Sequence, residues 1–282
     1  MTENTFKILD LDLKLIHEKL YEILIFIDWI CTKHGIKYQL FAGSLLGAVR
    51  HEEIIPWDDD IDICMVRTEY DKFISIFKNH PEYQDKYFLQ TVNSDKKYLM
   101  HFAKLRLNNT IYREILFKDH DINHGIFVDI FPIDSVPNSK IKRFFHQKII
   151  LLLGRISLFR TKNAVMYIKG NIIVKKSLHL ISLLFPKRLI DSMLYFLMIK
   201  YNNKDCKYLS HLTNGTTKKR YEKFMFEKST YEKSVKTRFG MNYYPIAKEY
   251  ELVLTSLYGD YEQLPCENDR RPQHGVIEIK LQ

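Results

Sequence analysis

The sequence has few cysteines, and no two of them lie close together in the chain. The four, Cys31, Cys64, Cys206 and Cys266, show no C-x-x-C pattern, which argues against a zinc site or a disulfide framework and fits a reducing cytoplasm. No basic region followed by an apolar one occurs in the N-terminal MTENTFKILDLDLK, so we expect no secretory signal there. These absences favour a cytoplasmic protein over a secreted, disulfide-stabilised one.

Acidic residues are nearly absent from one segment, which carries the basic excess of the chain. The sequence has 43 lysines and arginines against 34 aspartates and glutamates, a net charge of +9. This balance favours an anionic partner such as a phosphate ester, a nucleic acid or an acidic membrane surface. Residues 140–200 hold thirteen basic residues and a single acid, Asp191, so this segment has a net charge of +12 and the remainder of −3.

The same basic segment lacks a long apolar run. Its longest charge-free stretch, ten residues ending at Pro186, is shorter than the roughly 18 to 20 residues of a membrane-spanning helix. Large apolar residues interrupted by lysine and arginine predict two or three amphipathic helices. Such helices bind the surface of anionic membranes. The alternative is a helical part of the core with a solvated basic face.

Hydrophobic periodicity predicts an α+β fold. Helical spacing occurs at residues 11–30, 45–50, 69–79 and 246–258. Strand-like patterns occur at residues 38–42, 60–65, 98–107, 110–116 and 125–131. We expect an Asn108-Asn109 turn between two of these strands, an end of the last strand at Pro132, and a loop-like tail from Gly259. Strands would then lie mainly in the first half of the chain and helices in the second.

An acidic cluster ends the stretch from Phe41 to Ile63. Because side chains two residues apart on a strand share a face, Asp60 and Asp62 are expected to project together, Asp58 could join them, and Asp59 would face the other way. Like charges on one face repel unless a cation lies between them, and oxygen ligands of this kind suit Mg²⁺ or Mn²⁺. A solvated acidic turn is one alternative. An EF-hand loop is another, disfavoured because its sixth position requires glycine and holds Ile63.

A further carboxylate, Asp129, lies in the apolar run GIFVDIFP. A buried carboxylate without a partner is costly, so we expect it to have one. A metal ion shared with Asp60 and Asp62 is one such partner, and an ion pair with Lys104 or Arg106 is the other.

Upstream, Gly43-Ser44 is expected to form a turn between a strand and a short helix capped by Ser44. Backbone N–H groups and a hydroxyl at a helix N-terminus are suited to binding phosphate. Arg50 and His51 close this helix. They would either contact phosphate or satisfy the helix C-terminal carbonyls.

Four stretches together resemble one family. They are GSLLGAVRHEEIIPWDDDIDI, FAKLRLNNT, GIFVDIFPID and YGDYEQLPCENDRRPQH. Their sequences closely resemble the motifs of the LicD family of phosphotransferases. This family includes fukutin-like proteins and falls in the nucleotidyltransferase superfamily. The match covers residues 10–135 and about 240–274. It implies a nucleotidyltransferase-like mixed sheet with flanking helices, a catalytic core at residues 1–139, an inserted basic helical segment at 140–200, and a C-terminal part at 201–282 that completes the active site.

The resemblance also implies roles by position. Asp60 and Asp62 match the metal-binding pair, with Asp58 as a further candidate ligand, and Asp129 matches the third catalytic carboxylate, which could also accept the proton of the attacking hydroxyl. Gly43-Ser44 matches the phosphate turn.

Basic residues match the family pattern in two places. Lys104 and Arg106 could hold a diphosphate, an exposed strand face being the alternative. Arg270, Arg271 and His274 match the end of the pattern and are expected to contact donor or acceptor, although His274 could instead lie on the surface.

The implied activity is transfer of a phospho-alcohol group, typically phosphocholine, from a CDP-linked donor such as CDP-choline to a sugar hydroxyl of a cell-surface glycan precursor of teichoic acid, lipopolysaccharide or capsule type. The expected partners are this donor, Mg²⁺ or Mn²⁺, a lipid-linked glycan acceptor and an anionic membrane surface. The expected location is the cytoplasm, peripheral on the inner face of the cell membrane.

Two other functions stay open. One is a template-independent nucleotidyltransferase acting on RNA or a small molecule, and the other is a non-catalytic metal-binding or sugar-binding module. No nucleic-acid partner is expected, because the basic charge lies away from the acidic cluster and no RNA-binding motif is visible.

Overall fold

The structure is a computed structural model that describes residues 12–213, 218–272 and 274–281. Its helices are α1 (Leu13–His34), α2 (Ala42–Arg50), α3 (Arg67–Asn79), α4 (Lys140–Leu158), α5 (Lys162–Tyr167), α6 (Ile172–Leu184), α7 (Lys187–Ile199), α8 (Lys218–Lys223), α9 (Lys228–Glu232) and α10 (Tyr250–Tyr258). Its strands are β1 (Gln39–Leu40), β2 (Asp62–Val66), β3 (Tyr87–Gln90), β4 (Ala103–Leu107), β5 (Ile111–Glu114), β6 (Phe127–Val136), β7 (Tyr208–His211), β8 (Phe226–Glu227), β9 (Ser234–Phe239), β10 (Asn242–Ala247) and β11 (Val276–Lys280). Residues 1–11, for which no secretory signal was expected, lie outside the described residues.

A mixed sheet forms the centre of the fold. Its strands lie in the order β1-β2-β6-β4-β3, and β7 pairs with both β6 and β8. Strands β2 and β6 run parallel, whereas the other neighbours in the sheet are antiparallel. Helices α1 and α3 pack against this sheet. The predicted α+β class is confirmed.

Strand β6 is longer than predicted, because Pro132 does not end it. The N–H of Asp129 donates to the carbonyl of Ile61 on the β2 side, so the nitrogen of Pro132, three residues later, is directed to the opposite side. On that side β4 pairs as far as Ile130 and β7 begins to pair at Ile133. Pro132 therefore lies between the ends of two partner strands. Because neither strand pairs with it, its lack of an N–H removes no hydrogen bond from the sheet.

The first predicted helix is confirmed, and its ends have clear causes. The side chain of Asp12 accepts a hydrogen bond from the N–H of Leu15 at the start. At the end Gly35 adopts the left-handed conformation, with φ of 60°, and its N–H donates to Cys31 and Thr32 carbonyls. Glycine adopts this conformation without the strain that a Cβ atom would add.

The basic segment at residues 140–200 holds four helices, α4 to α7, rather than the two or three predicted. They share a second hydrophobic core, separate from the one under the sheet, that also takes in Val136, Leu212 and Tyr221. Among the described residues, none of the helices combines the length and the apolarity needed to cross a bilayer. The division of the chain into 1–139, 140–200 and 201–282 stays a prediction.

The second half of the chain was predicted incorrectly in two respects. It contains strands β7 to β11, and the tail from Gly259 is not all loop, because β11 pairs with β5. The expected turn at Asn108-Asn109 is present, with φ of 60° at Asn109, yet the strands that flank it do not pair with each other. Strand β4 pairs inside the central sheet and β5 pairs with the tail.

Candidate active site

Three neighbouring strands place charged side chains in one row across the sheet. Asp62 of β2 is the register partner of Asp129 of β6, and Asp129 is the register partner of Lys104 of β4. Side chains directly opposite each other on neighbouring strands share a face of the sheet. The row therefore brings two carboxylates and one ammonium group together.

Asp60 joins this row from the chain just before β2. Carboxylate oxygens of Asp60, Asp62 and Asp129 all lie within 4.8 Å of one another. Strand β2 begins at Asp62, so Asp60 belongs to a lead-in before the strand, whereas a strand starting at residue 60 had been predicted. This lead-in is tied to α1, because the ring Nε2 of His17 lies 2.7 Å from the carbonyl oxygen of Asp58.

The acidic cluster is neither a solvated turn nor an EF-hand loop. The side chains from Asp58 to Asp62 are partly or fully buried, and Ile63 lies in the paired part of β2. Both alternatives are therefore wrong. A buried group of carboxylates with converging oxygens has the donor set of a site for a hard divalent cation.

Burial and mutual repulsion raise the pKa values of these carboxyls. Burial, with the charges of Asp60 and Asp59, raises the pKa of Asp58 to about 8. Burial also raises the pKa of Asp129 to about 6, against the opposing effect of Lys104. For Asp62, burial and the charges of Asp60 and Asp129 hold the pKa well above its usual value. The fold thus holds acids together where ionisation is unfavourable without a positive charge beside them.

Lys104 supplies one such charge. Its Nζ atom lies 2.8 Å and 3.1 Å from the two carboxylate oxygens of Asp129, and 3.2 Å from the centre of the Phe127 ring. The ion pair considered for Asp129 is therefore present, alongside the approach of Asp60 and Asp62. Lys104 is buried, which contradicts the exposed strand face considered as the alternative.

Arg106, two residues along the same strand, is directed elsewhere. It is buried, its Nε donates to Gln90 Oε1 over 2.6 Å, and its Nη1 donates to the carbonyl of Gly125. Its guanidinium also packs over the ring of Phe127. The expected contact of Arg106 with a diphosphate is corrected accordingly, because its donors serve the protein itself.

Helix α2 begins earlier than predicted, at Ala42, and Ser44 is not its cap. The Ser44 hydroxyl oxygen instead accepts from the N–H of Asp62 over 2.8 Å, so it fixes the start of β2. A Cβ atom at Gly43 would lie 2.9 Å from Asp58 Oδ2. Gly43 therefore leaves the space that lets α2 approach the acidic cluster closely.

A histidine from the tail completes the cluster. Nδ1 of His274 donates to Asp59 Oδ1 over 3.1 Å, and its Nε2 lies 3.9 Å from Asp60 Oδ2 and 4.0 Å from Glu114 Oε1. Burial disfavours the charged ring, but the hydrogen bond to Asp59 and the surrounding carboxylates raise the pKa of His274 well above its usual value. His274 is thus a partly buried cation beside the acids, not a surface residue.

Asp59 is a residue that the sequence analysis missed. It is 1% exposed, and its Oδ2 accepts from the hydroxyl of Tyr112 over 2.6 Å and from the backbone N–H of His274 over 3.3 Å. These contacts orient the imidazole ring. The alternation of side chains along a strand predicted that Asp59 faces away from Asp60. The local sequence did not indicate that Asp59 contacts Tyr112 and His274.

The three converging carboxylates, with Lys104 and His274, form one wall of a cavity of about 800 Å³. Of the predicted residues, those that line it are Gly43, Arg50, Asp58, Asp60, Asp62, Lys104, Asp129 and His274. Those that do not are Ser44, His51, Arg106, Arg270 and Arg271, all within the described ranges. The cavity is rimmed by the end of α10 and the following loop, with Tyr258, Asp260, Tyr261 and Leu264.

The basic residues of α2 and the tail hold this rim in place. Nη1 of Arg50 donates to the carbonyl of Tyr261 over 2.9 Å, and its Nε donates to the ring of His51 over 3.0 Å. Arg270 packs over the ring of Trp57, and its Nε donates to a carbonyl within the same tail loop. Arg271 is exposed. His51, Arg270 and Arg271 thus lie outside the cavity wall, and their predicted substrate contacts stay predictions.

Glu114, at the end of β5, is another lining residue that was missed. Burial opposes its ionisation, but Lys104, His274 and Arg106 lower its pKa. The signal that could have found it resembles the one that found Asp129, namely an acid whose same-face neighbours in a predicted strand, Tyr112 and Leu116, carry large apolar side chains. Glu114 was overlooked because its place in the site depends on the pairing of β5 with β11, which lies in the tail.

The chain is similar to known proteins, in one case over most of its length. Residues 35–149 match the family described as LicD/FKTN/FKRP, nucleotidyltransferase domain. The chain is 29% identical over 254 residues to the lipopolysaccharide cholinephosphotransferase LicD of Haemophilus influenzae, which covers 89% of this chain and 92% of that protein. A stretch of 29 residues is 62% identical to the ribitol 5-phosphate transferase FKRP of Homo sapiens, covering 10% of this chain and 6% of that protein. Residues 35–149 therefore match the nucleotidyltransferase domain of the LicD family, and the similarity to a LicD protein extends over most of the chain.

Proposed function

We propose that this protein is a metal-dependent phosphotransferase. It would move a phospho-alcohol group, phosphocholine in the first place, from a CDP-linked donor to a sugar hydroxyl of a cell-surface glycan precursor of lipopolysaccharide, teichoic acid or capsule type. The proposal rests on one observation: the carboxylate oxygens of Asp60, Asp62 and Asp129 lie close together on the wall of one large cavity. The names of the relatives, a cholinephosphotransferase and a ribitol 5-phosphate transferase, support a phospho-alcohol as the transferred group.

The proposed cofactor is Mg²⁺ or Mn²⁺, held by Asp60, Asp62 and Asp129, with Asp58 as a further ligand. Hard divalent cations prefer carboxylate oxygens, and the three acids offer oxygens that lie close enough to converge on one ion. When bound, such an ion would neutralise charge on the donor phosphates.

The remaining steps are assigned to side chains of the cavity wall. Lys104 and His274 are cations beside the acids, and Arg50 lines the same cavity, so these three would bind the diphosphate oxygens. Asp129 would accept the proton of the acceptor hydroxyl as it attacks phosphorus. CMP would then leave as the phospho-alcohol is transferred.

Aromatic side chains in the cavity support choline as the alcohol. Its lining includes the aromatic residues Trp57, Phe102, Phe117, Phe131, Tyr258 and Tyr261. A quaternary ammonium group is attracted to the faces of such rings. A volume of about 800 Å³ leaves room for a nucleotide-linked donor together with part of an acceptor.

The proposed location is the cytoplasm, at the inner face of the cell membrane, where a lipid-linked acceptor is accessible. No nucleic-acid partner is proposed, because the exposed basic residues of 140–200 lie in the helical segment and not among the residues that line the cavity.

The test is incubation of the protein with Mg²⁺ and a set of CDP-alcohols, namely CDP-choline, CDP-ethanolamine, CDP-glycerol and CDP-ribitol, with a panel of sugars as acceptors. We expect CMP release from at least one donor, together with a sugar that carries the phospho-alcohol group. Nucleotide incorporation from a nucleoside triphosphate instead would favour the RNA or small-molecule nucleotidyltransferase. Binding without CMP release from any donor would favour a non-catalytic module.

A further inference from the structure

Exposed apolar side chains are concentrated in the basic segment at residues 140–200. Of the 28 large hydrophobic residues that are exposed among the described residues, 19 lie between Ile141 and Phe196. A solvated basic face would not by itself expose apolar side chains, since a folded domain normally buries most of them. This concentration therefore calls for a partner.

Helix α4 displays the pattern most clearly. Its exposed apolar residues are Ile141, Phe144, Phe145, Ile149 and Leu152, spaced at one, three and four residues. This spacing places them along one face of the helix. Basic residues border that face, and the ammonium of Lys148 lies 5.4 Å from the ring of Phe144.

Helices α6 and α7 pack with α4 and show the same combination. On α7 the exposed residues Leu189, Met193 and Phe196 recur at four and three residues, and the Nζ atom of Lys200 lies 6.0 Å from the Phe196 ring. On α6 the exposed residues include Leu180, Leu183 and Leu184. We call the exposed faces of α4, α6 and α7 the apolar-basic surface.

We infer that the apolar-basic surface binds a bilayer containing anionic lipids. Lysine and arginine side chains that border an apolar stripe reach the phosphate groups of lipids while the stripe enters the interface. The exposed basic residues of the segment are Lys140, Lys142, Lys148, Arg155, Lys162, Lys169, Lys176, Arg188 and Lys200. A second copy of the chain is a poor match, because two segments with a net charge of +12 would repel each other.

The core of the helical segment that carries the apolar-basic surface adjoins the cavity. Leu116 packs against the core of the helical segment and also lines the cavity, and α5 contacts residues 115–117. A helical segment seated on lipid would therefore keep one wall of the cavity near the membrane. This consequence rests on the proposed function, since only a lipid-linked acceptor would require it, whereas lipid binding itself does not depend on catalysis.

The experiment is flotation of the full chain with vesicles of phosphatidylcholine alone or mixed with phosphatidylglycerol. We expect flotation with the anionic vesicles, and a loss of at least about tenfold in the bound fraction for Lys142→Glu with Lys148→Glu and for Phe144→Ser with Phe145→Ser. Matched controls, Lys96→Glu with Lys236→Glu and Met241→Ser with Leu252→Ser, change exposed residues elsewhere and should float like the unaltered protein.

Unchanged flotation of both α4 variants would overturn the inference, as would equal binding to neutral vesicles. Dimerisation in sedimentation that the Phe144 and Phe145 changes abolish, without lipid binding, would assign the surface to a second copy instead. CMP release measured without vesicles separates this inference from the proposed function. The α4 variants should keep that activity, because none of the altered residues lines the cavity.

Discussion

At the scale of single residues, the candidate site depends on side chains that hold other side chains in place. Asp59 does not line the cavity with the three converging carboxylates, yet its oxygens accept from Tyr112 and from two nitrogens of His274. Ser44 similarly fixes the N–H of Asp62. Groups behind a site commonly matter because they orient the groups that contact the substrate.

Replacing Asp59 by Asn should lower the transfer rate by about 10-fold to 100-fold, because the amide no longer stabilises the charged ring of His274. The thermal midpoint should change little, since Asn keeps an acceptor for Tyr112. Tyr112→Phe is the matched control, removing one hydrogen bond to Asp59 while leaving its contact with His274. A loss in kcat with an unchanged KM for the donor is expected for the Asp59 variant. Wild-type kcat would contradict the positioning role.

Replacing Asp62 by Asn tests the metal site through stability. An aspartate whose pKa is higher in the folded chain than in the unfolded chain destabilises the fold at pH 7, because the unfolded chain releases that proton more readily. Without metal, the variant should therefore be more stable by about 1 kcal/mol or more. Mg²⁺ should raise the thermal midpoint of the unaltered protein and have a much smaller effect on the variant. Equal effects of Mg²⁺ on both proteins would speak against a metal ion at Asp62.

At the scale of elements, the parallel pairing of β2 with β6 decides which acids meet. The register that puts Asp62 beside Asp129 continues to the end of β2, where Arg67 starts α3. There Arg67 forms a buried, two-point ion pair with Asp134 of β6, with N–O distances of 2.8 Å and 2.6 Å. This pair links α3 to β6 at the far end of the same strand pair.

Replacing Asp134 by Asn should lower the free energy of unfolding by about 3 to 5 kcal/mol, because it leaves the buried Arg67 charge without its partner. Asp71→Asn is the control, since Asp71 lies 3.7 Å from the same guanidinium but its side chain is 52% exposed. That change should cost less than about 1 kcal/mol. Urea denaturation of both variants measures the difference. Similar values for the two would contradict the importance assigned to the buried pair.

The sequence predicted the acids more accurately than the basic residues, for a physical reason. Asp60, Asp62 and Asp129 were placed together because alternation and the cost of a buried acid are local signals. The position of His274 beside Asp59 depends on β11 pairing with β5, more than 160 residues earlier in the chain. Arg106 shares a strand face with Lys104, but its longer side chain finds acceptors in Gln90 and Gly125 that no local pattern indicates.

At the scale of the whole molecule, two cores separate two kinds of charge. The core under the sheet carries the acidic cluster, and the second core, formed by α4 to α7, carries the basic excess. The net charge of +9 therefore reflects one helical segment and not the surroundings of the cavity. On the proposed function, each part meets a different anion: the donor phosphates through the metal site, and lipid headgroups through the apolar-basic surface.

The central claim is that the carboxylate cluster catalyses metal-dependent transfer from a CDP-alcohol. The most direct measurement is CMP release from the best CDP-alcohol donor, by the unaltered protein and by Asp129→Asn, after treatment with EDTA and after return of Mg²⁺. The account predicts no release in EDTA, recovery with Mg²⁺, and a loss of about 100-fold or more in the folded variant. Release that persists in EDTA, or a variant as active as the unaltered protein, would contradict it.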